Sequence, residues 1–174
     1  IWVYYFFRDP ERFPINDDAF LVSPADGLIT DISERTGPIE LQLENKTYTR
    51  VSIFMNVFNC HVNRTPLAGT VEEINYKTGK FLNASLDKAS EENERSYYKI
   101  KCSKSGEEII IVQIAGLIAR RIVCEVEQGQ SLKQGDRIGM IRFGSRVDIY
   151  FKNKKVLAKI GQNVVAGESL IASE

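Results

Sequence analysis

Gly144-Ser145, late in a chain of 174 residues, sets a hydroxyl directly after a glycine carbonyl. A serine can attack the carbonyl before it only where the peptide is tightly turned or strained, and glycine removes the side-chain obstacle to that approach. Serine is a weak nucleophile at its free pKa, so the step needs a base within hydrogen-bond reach. His61 is the only histidine in the chain. Asp26, in Ser23-Pro24-Ala25-Asp26-Gly27, is the carboxylate whose type suits orienting or charging an imidazole. Taken singly, each has an ordinary reading. Gly-Ser is a common loop pair, a lone histidine is usually a core or surface residue, and Asp-Gly is a tight turn.

The elements that must position these groups read as strands. Leu28–Ile32, Val51–Met55, Ile109–Ile114 and Val147–Phe151 are short β-branched or aromatic runs between turn residues. Ala84 to Arg95, rich in Ala, Leu, Lys and Glu, is the one break, fitting a short helix or a loop that closes over a site. Two internal repeats sharpen the expectation. Pro24-x-x-Gly27 and Pro66-x-x-Gly69 each enter an alternating strand, and Gly129 to Gly139 matches Gly161 to Ile171 with an acidic residue after each second glycine. Paired elements of the second kind resemble the interlocking hairpins of biotinyl and lipoyl carrier domains, which implies a mainly β barrel-sandwich hybrid with little helix. Fold does not fix function. A non-enzymatic binding or carrier module therefore stands as an alternative, although Lys133 and Lys159 lack the setting of a modified carrier lysine.

Composition bounds the chain to one domain with a real core, since 43% of its residues are hydrophobic. With 23 basic and 23 acidic residues, nothing points to nucleic acid as a partner. Cys60, Cys102 and Cys124 form neither a disulfide framework nor a zinc pattern, so no metal is expected and a reducing compartment fits. The first seven residues, Ile-Trp-Val-Tyr-Tyr-Phe-Phe, precede a charged Arg8-Asp9-Pro10-Glu11-Arg12 run. They fit a first strand, a buried staple or a segment at a membrane interface, and are too few to span a bilayer.

Several separated blocks, in one order, resemble the short, single-domain phosphatidylserine decarboxylases. They are Phe6 to Arg12, Ser23 to Gly27, Asn59-Cys-His-Val-Asn-Arg-Thr-Pro66, Gly79 to Ala84, Asn93-Glu94-Arg95, Ile114 to Arg121, and Phe143-Gly-Ser-Arg146. The resemblance implies autocatalytic serinolysis. Ser145 Oγ attacks the Gly144 carbonyl, the ester eliminates, and hydrolysis leaves a pyruvoyl group at former Ser145. The products are chains 1–144 (β) and 145–174 (α), which stay associated. The covalent pyruvoyl ketone then condenses with a substrate amine and takes up the electrons released as carbon dioxide leaves, turning phosphatidylserine into phosphatidylethanolamine.

The same resemblance makes His61 and Asp26 catalytic and residues 15–174 the catalytic domain. It makes residues 1–14 a membrane-proximal segment, with the enzyme on the cytoplasmic side of the cell membrane. Longer family members carry two histidines three residues apart, whereas this chain has His61 and then Arg64. His61 is therefore a candidate for cleavage, for reprotonation, or for both. An anionic headgroup calls for guanidiniums. The candidates are Arg64, Arg120, Arg121 and Arg146, of which consecutive Arg120 and Arg121 on a strand would face opposite ways. An ether-linked seryl phospholipid is an alternative substrate, and homo-oligomerisation is left open.

Overall fold

The computed structural model describes residues 1–117, 121–142 and 145–174. The chain opens with a short helix, α1 (Trp2–Phe6), and runs extended to β1 (Phe20–Val22). β2 (Gly27–Thr36) and β3 (Thr47–Met55) follow, then β4 (Val62–Arg64) and β5 (Gly69–Lys77). A four-residue helix, α2 (Ala89–Glu92), leads into β6 (Arg95–Cys102) and β7 (Glu108–Ile114). The remainder carries β8 (Arg121–Cys124), β9 (Ser131–Leu132), β10 (Arg137–Arg142) and β11 (Ser145–Phe151). β12 (Lys155–Val156), β13 (Asn163–Val164) and β14 (Leu170–Ser173) complete it.

The strands build a curled antiparallel half-barrel of the expected barrel-sandwich kind. Its large sheet has the order β13-β2-β3-β11-β7-β6-β5-β9, and two three-stranded sheets, β1-β14-β12 and β4-β10-β8, close against it. The order is symmetric about the β11–β7 pairing. One half is β1–β3 with β11–β14; the other is β4–β10.

The two internal repeats are the reason. Gly161 N–H donates to Ile29 O at 2.8 Å, as Gly129 N–H does to Val71 O at 2.7 Å. Gly167 N–H donates to Ser23 O at 2.8 Å, as Gly135 N–H does to Thr65 O at 2.9 Å. Gly27 and Gly69 hold matching close approaches, because a Cβ would lie 2.2 Å from Phe54 O in one and 2.3 Å from Lys101 O in the other.

Alternation sorts the central strands into two faces. Val147, Ile149 and Phe151 join Val51, Ile53, Met55, Ile109 and Ile111 in the barrel interior. Tyr150, Ile110, Val112 and Ile114 form a second cluster on the outer face with Leu41, Leu43 and Ala89. Both faces are covered, which is why Ile109–Ile114 reads as an unbroken apolar run. All four runs expected as strands lie inside observed ones. The Ala84–Arg95 break is mostly loop, with Ala89 of α2 packed into the outer cluster. The first seven residues form no strand: they hold the helix α1, and burial of Phe6 overrides the strand preference of aromatic side chains.

Candidate active site

Ser145 is the first residue of β11 and pairs with Met55, the last residue of β3. It shares the interior parity of Val147, is fully buried, and its Oγ has no hydrogen-bond partner among the described residues. Gly144 lies outside the described residues. The β10–β11 connection is where the chain crosses from the second half of the fold back to the first. His61 lies on the other crossing, between β3 and β4, and its carbonyl accepts from Ile141 N–H on β10 at 3.4 Å. The two chain crossings thus carry the two groups that sequence singled out for chemistry.

The His61 imidazole is fully buried. Its Nδ1 lies 2.8 Å from Asn59 O, a partner that can only accept, so Nδ1 carries the proton and Nε2 presents its lone pair. Nε2 has no hydrogen-bond partner among the described residues. Burial pushes the pKa of His61 down to about 4, assisted by the Arg8 charge, against the Asn59 hydrogen bond and the Asp26 charge. The ring is neutral at physiological pH and is in the protonation state a general base requires. Phe6 covers it, with ring centroids 4.4 Å apart.

Asp26 does not hydrogen-bond to this histidine. Its Oδ2 accepts from Arg12 at 2.9 Å and its Oδ1 from Ala166 N–H at 2.7 Å. The imidazole is oriented by a backbone carbonyl, and Asp26 acts on it through space. Arg12 in turn belongs to a strap of residues 8–14 drawn across the barrel end. Asp9 in this strap pairs with Arg64 at 3.0 Å and also with Arg137.

The structure separates the four arginines. Arg64 is buried and donates to Gly135 O, Asp9 Oδ1 and Pro10 O, so its guanidinium holds the strap. Arg146 follows Ser145 on β11 and so faces the outer side. There it pairs with Asp148 at 3.0 Å and donates to Leu86 O at 3.2 Å, which ties down the segment before α2. Arg121 is exposed at the start of β8, directly across from Arg142. Arg120 lies outside the described residues. Arg142, not singled out from sequence, is the last residue of β10, has a buried Nε without a hydrogen-bond partner, and stands over the Phe7 ring at 5.6 Å.

A buried polar file behind the site also escaped the sequence reading. Tyr98 Oη donates to Gln113 Oε1 at 2.6 Å, Gln113 Nε2 donates to Asn63 Oδ1 at 2.8 Å, and Asn63 Nδ2 approaches Met55 Sδ at 3.6 Å. It links the strand after His61 to the strand that pairs with Ser145. Two signals were present: Asn63 shares its parity with His61, and Gln113 is the one polar residue inside the run Ile109–Ile114. Among the described residues no group of three or more His, Cys, Asp or Glu is placed to hold a metal. No described helix is long and apolar enough to cross a membrane.

The family model for phosphatidylserine decarboxylase matches residues 1–172. The chain belongs to that family, and with it to the decarboxylating lyases of phospholipid metabolism. A phosphatidylserine decarboxylase proenzyme of Pelagibacter ubique (strain HTCC1062) is 66% identical over the whole chain, which covers 80% of that protein. Proenzymes of the same description from Ruegeria pomeroyi and Rickettsia akari are 50% and 53% identical over 99% and 98% of the chain, covering 78% and 74% of theirs.

Proposed function

We propose that the chain is the proenzyme of a pyruvoyl-dependent phosphatidylserine decarboxylase that matures by serinolysis at Gly144-Ser145 and then forms phosphatidylethanolamine and carbon dioxide. The observation that carries the reading is the buried Ser145 Oγ, without a hydrogen-bond partner among the described residues, at the start of β11 where the chain crosses between the halves. A buried polar atom left unsatisfied costs about 1–3 kcal/mol and is seldom kept without use. His61 Nε2 is a second such atom among the described residues, on the other crossing; the two are not hydrogen-bonded to each other, and we assign Nε2 as the group that takes the Ser145 proton when cleavage brings them together. Ser145 and His61 are both fully buried, which keeps bulk water from either group.

The residues fit the group the family uses. A pyruvoyl at position 145 supplies an electron sink for the departing carboxylate. Around it, β3 and β7 flank β11 on both sides, which keeps residues 145–174 paired to the rest after cleavage. His61 receives and returns protons at Nε2. Asp26 steadies the site by charge and by holding Arg12. Arg121 and Arg142, cross-strand neighbours at the end of β10, are the guanidiniums placed to grip a headgroup phosphate. Arg64 and Arg146 serve it indirectly, through the strap and through the loop before α2. The exposed aromatic residues of α1 support contact of this end of the molecule with a membrane, and the family resemblance is the ground for assigning it to the cytoplasmic side.

The deciding experiment is the intact mass of the denatured wild-type protein and of Ser145→Ala. The expected result is two chains in wild type, the smaller blocked by a carbonyl at position 145, and one chain in the variant. A single full-length chain in both, from folded protein, contradicts the reading and leaves a binding module of the same fold.

A further inference from the structure

We propose that α1 is a cap over His61 that an anionic lipid surface removes, with Phe6 as the residue that couples membrane contact to opening of the site. The inference rests on the lipid substrate proposed above and adds how the substrate gains entry. Phe6 is the only buried residue of α1, and the ring it covers is the imidazole. Around Phe6, the helix turns Val3, Tyr4 and Tyr5 outward, with Trp2 half exposed, and Phe58 stands exposed beside it.

The composition of this patch selects its partner. Trp and Tyr rings prefer the level of lipid headgroups, and two cations stand among them. Arg8 lies over the Tyr5 ring at 4.0 Å and Arg142 over Phe7 at 5.6 Å. An acidic lipid surface satisfies both the rings and the guanidiniums.

A pivot is also present. From Asp9 onward the strap is fixed by the pairs of Asp9 with Arg64 and of Arg12 with Asp26. Before it, α1 is attached through Arg8, which donates to Tyr5 O and Phe58 O and whose carbonyl accepts from Cys60 Sγ. Lipid insertion of the outer rings pulls on the Phe6 contact with His61. The closed state is dry and suits the intramolecular maturation step. The open state admits the headgroup to Nε2 and to Arg142, whose Phe7 contact moves with the helix.

The chain's single histidine makes this measurable without turnover. The imidazole resonances of the Ser145→Ala protein are titrated by NMR in buffer and with bicelles of phosphatidylcholine and phosphatidylglycerol. The charges that act on the ring, Arg8 and Asp26, are present in both conditions. In buffer the midpoint is expected near 4, and with anionic bicelles it moves toward the ordinary 6.5 as the ring meets water. Phe6→Ala shows the higher midpoint in buffer alone. Trp2→Ser with Tyr5→Ser keeps the low one in bicelles. A midpoint of the Ser145→Ala protein that is the same with and without bicelles overturns the proposal, and needs no substitution in α1. Because no decarboxylation is read, failure of the lipid-substrate reading shows separately, as absent turnover of phosphatidylserine.

Discussion

The two halves of the barrel share a backbone and differ in what they carry. In one, Ser23-Pro24-Ala25-Asp26-Gly27 enters β2; in the other, Thr65-Pro66-Leu67-Ala68-Gly69 enters β5. The hydroxyls do the same work, Ser23 Oγ donating to Ala25 O and Thr65 Oγ1 to Leu67 O, both at 2.7 Å. Asp26 and Ala68 occupy the same place before the glycine, so the turn closes without an acid. The carboxylate in the first half is therefore present for its partners, Arg12 and Ala166 N–H. In the second half the position equivalent to Ala166 is Gln134, whose side chain donates to Pro66 O at 3.1 Å and also to Phe20 O of β1 at 2.9 Å, so that an amide rather than an acid joins the halves there. Both halves hold the strap, the first through Asp26 to Arg12 and the second through Arg64 and Arg137 to Asp9. The reactive groups lie in neither half's hairpins but on the two crossings between them.

This division can be broken at three points, in decreasing order of effect. His61→Gln is expected to slow appearance of the two chains by about 10²–10⁴-fold, the usual contribution of a positioned base. In wild type the rate of chain separation follows the neutral imidazole, flat through neutral pH and falling as pH drops through about 4. A fall centred near 6.5 instead would mean that the ring is solvated during maturation. Time courses on denaturing gels across pH give both results.

Arg146→Ala removes one member of a buried ion pair and leaves Asp148 uncompensated on the outer face. The expected loss of stability is about 3–5 kcal/mol, read from urea unfolding of the Ser145→Ala background. Arg121→Ala, at an exposed position, should fall within about 0.5 kcal/mol of its parent. Equal losses at the two sites would undo the distinction between the buried structural arginine and the exposed candidate for headgroup binding.

The smallest effect compares the halves directly. Asp26→Asn weakens a charge-assisted hydrogen bond to Arg12 and is expected to cost about 1–3 kcal/mol while slowing cleavage. Ala68→Asp, at the equivalent place, should change stability by about 0.5 kcal/mol or less and leave the cleavage rate alone. An unaltered cleavage rate in Asp26→Asn would remove that residue from the site and restore its reading as a turn residue.

Local pattern alone determined a good deal of this protein. Glycine spacing announced the repeats because a backbone that must pass 2.2 Å from where a Cβ would stand, or adopt positive φ as Gly129, Gly135, Gly161 and Gly167 do, admits little else. Apolar runs announced β3, β7 and β11 because both sides of the large sheet are covered. The motifs around His61 and Ser145 were visible for the same local reason. β6 was not, since Arg95, Lys99 and Lys101 break its apolar pattern and its place comes from pairing with β5 and β7. The partners of each charge were equally hidden. That Arg64 binds Asp9, that Asp26 binds Arg12, and that Asn59 O and Phe6 hold His61 depend on contacts between segments up to 55 residues apart. Sequence supplies the residue types that chemistry needs, while burial and distance decide which are occupied by each other and which remain open to react, and those exist only once the two halves have closed.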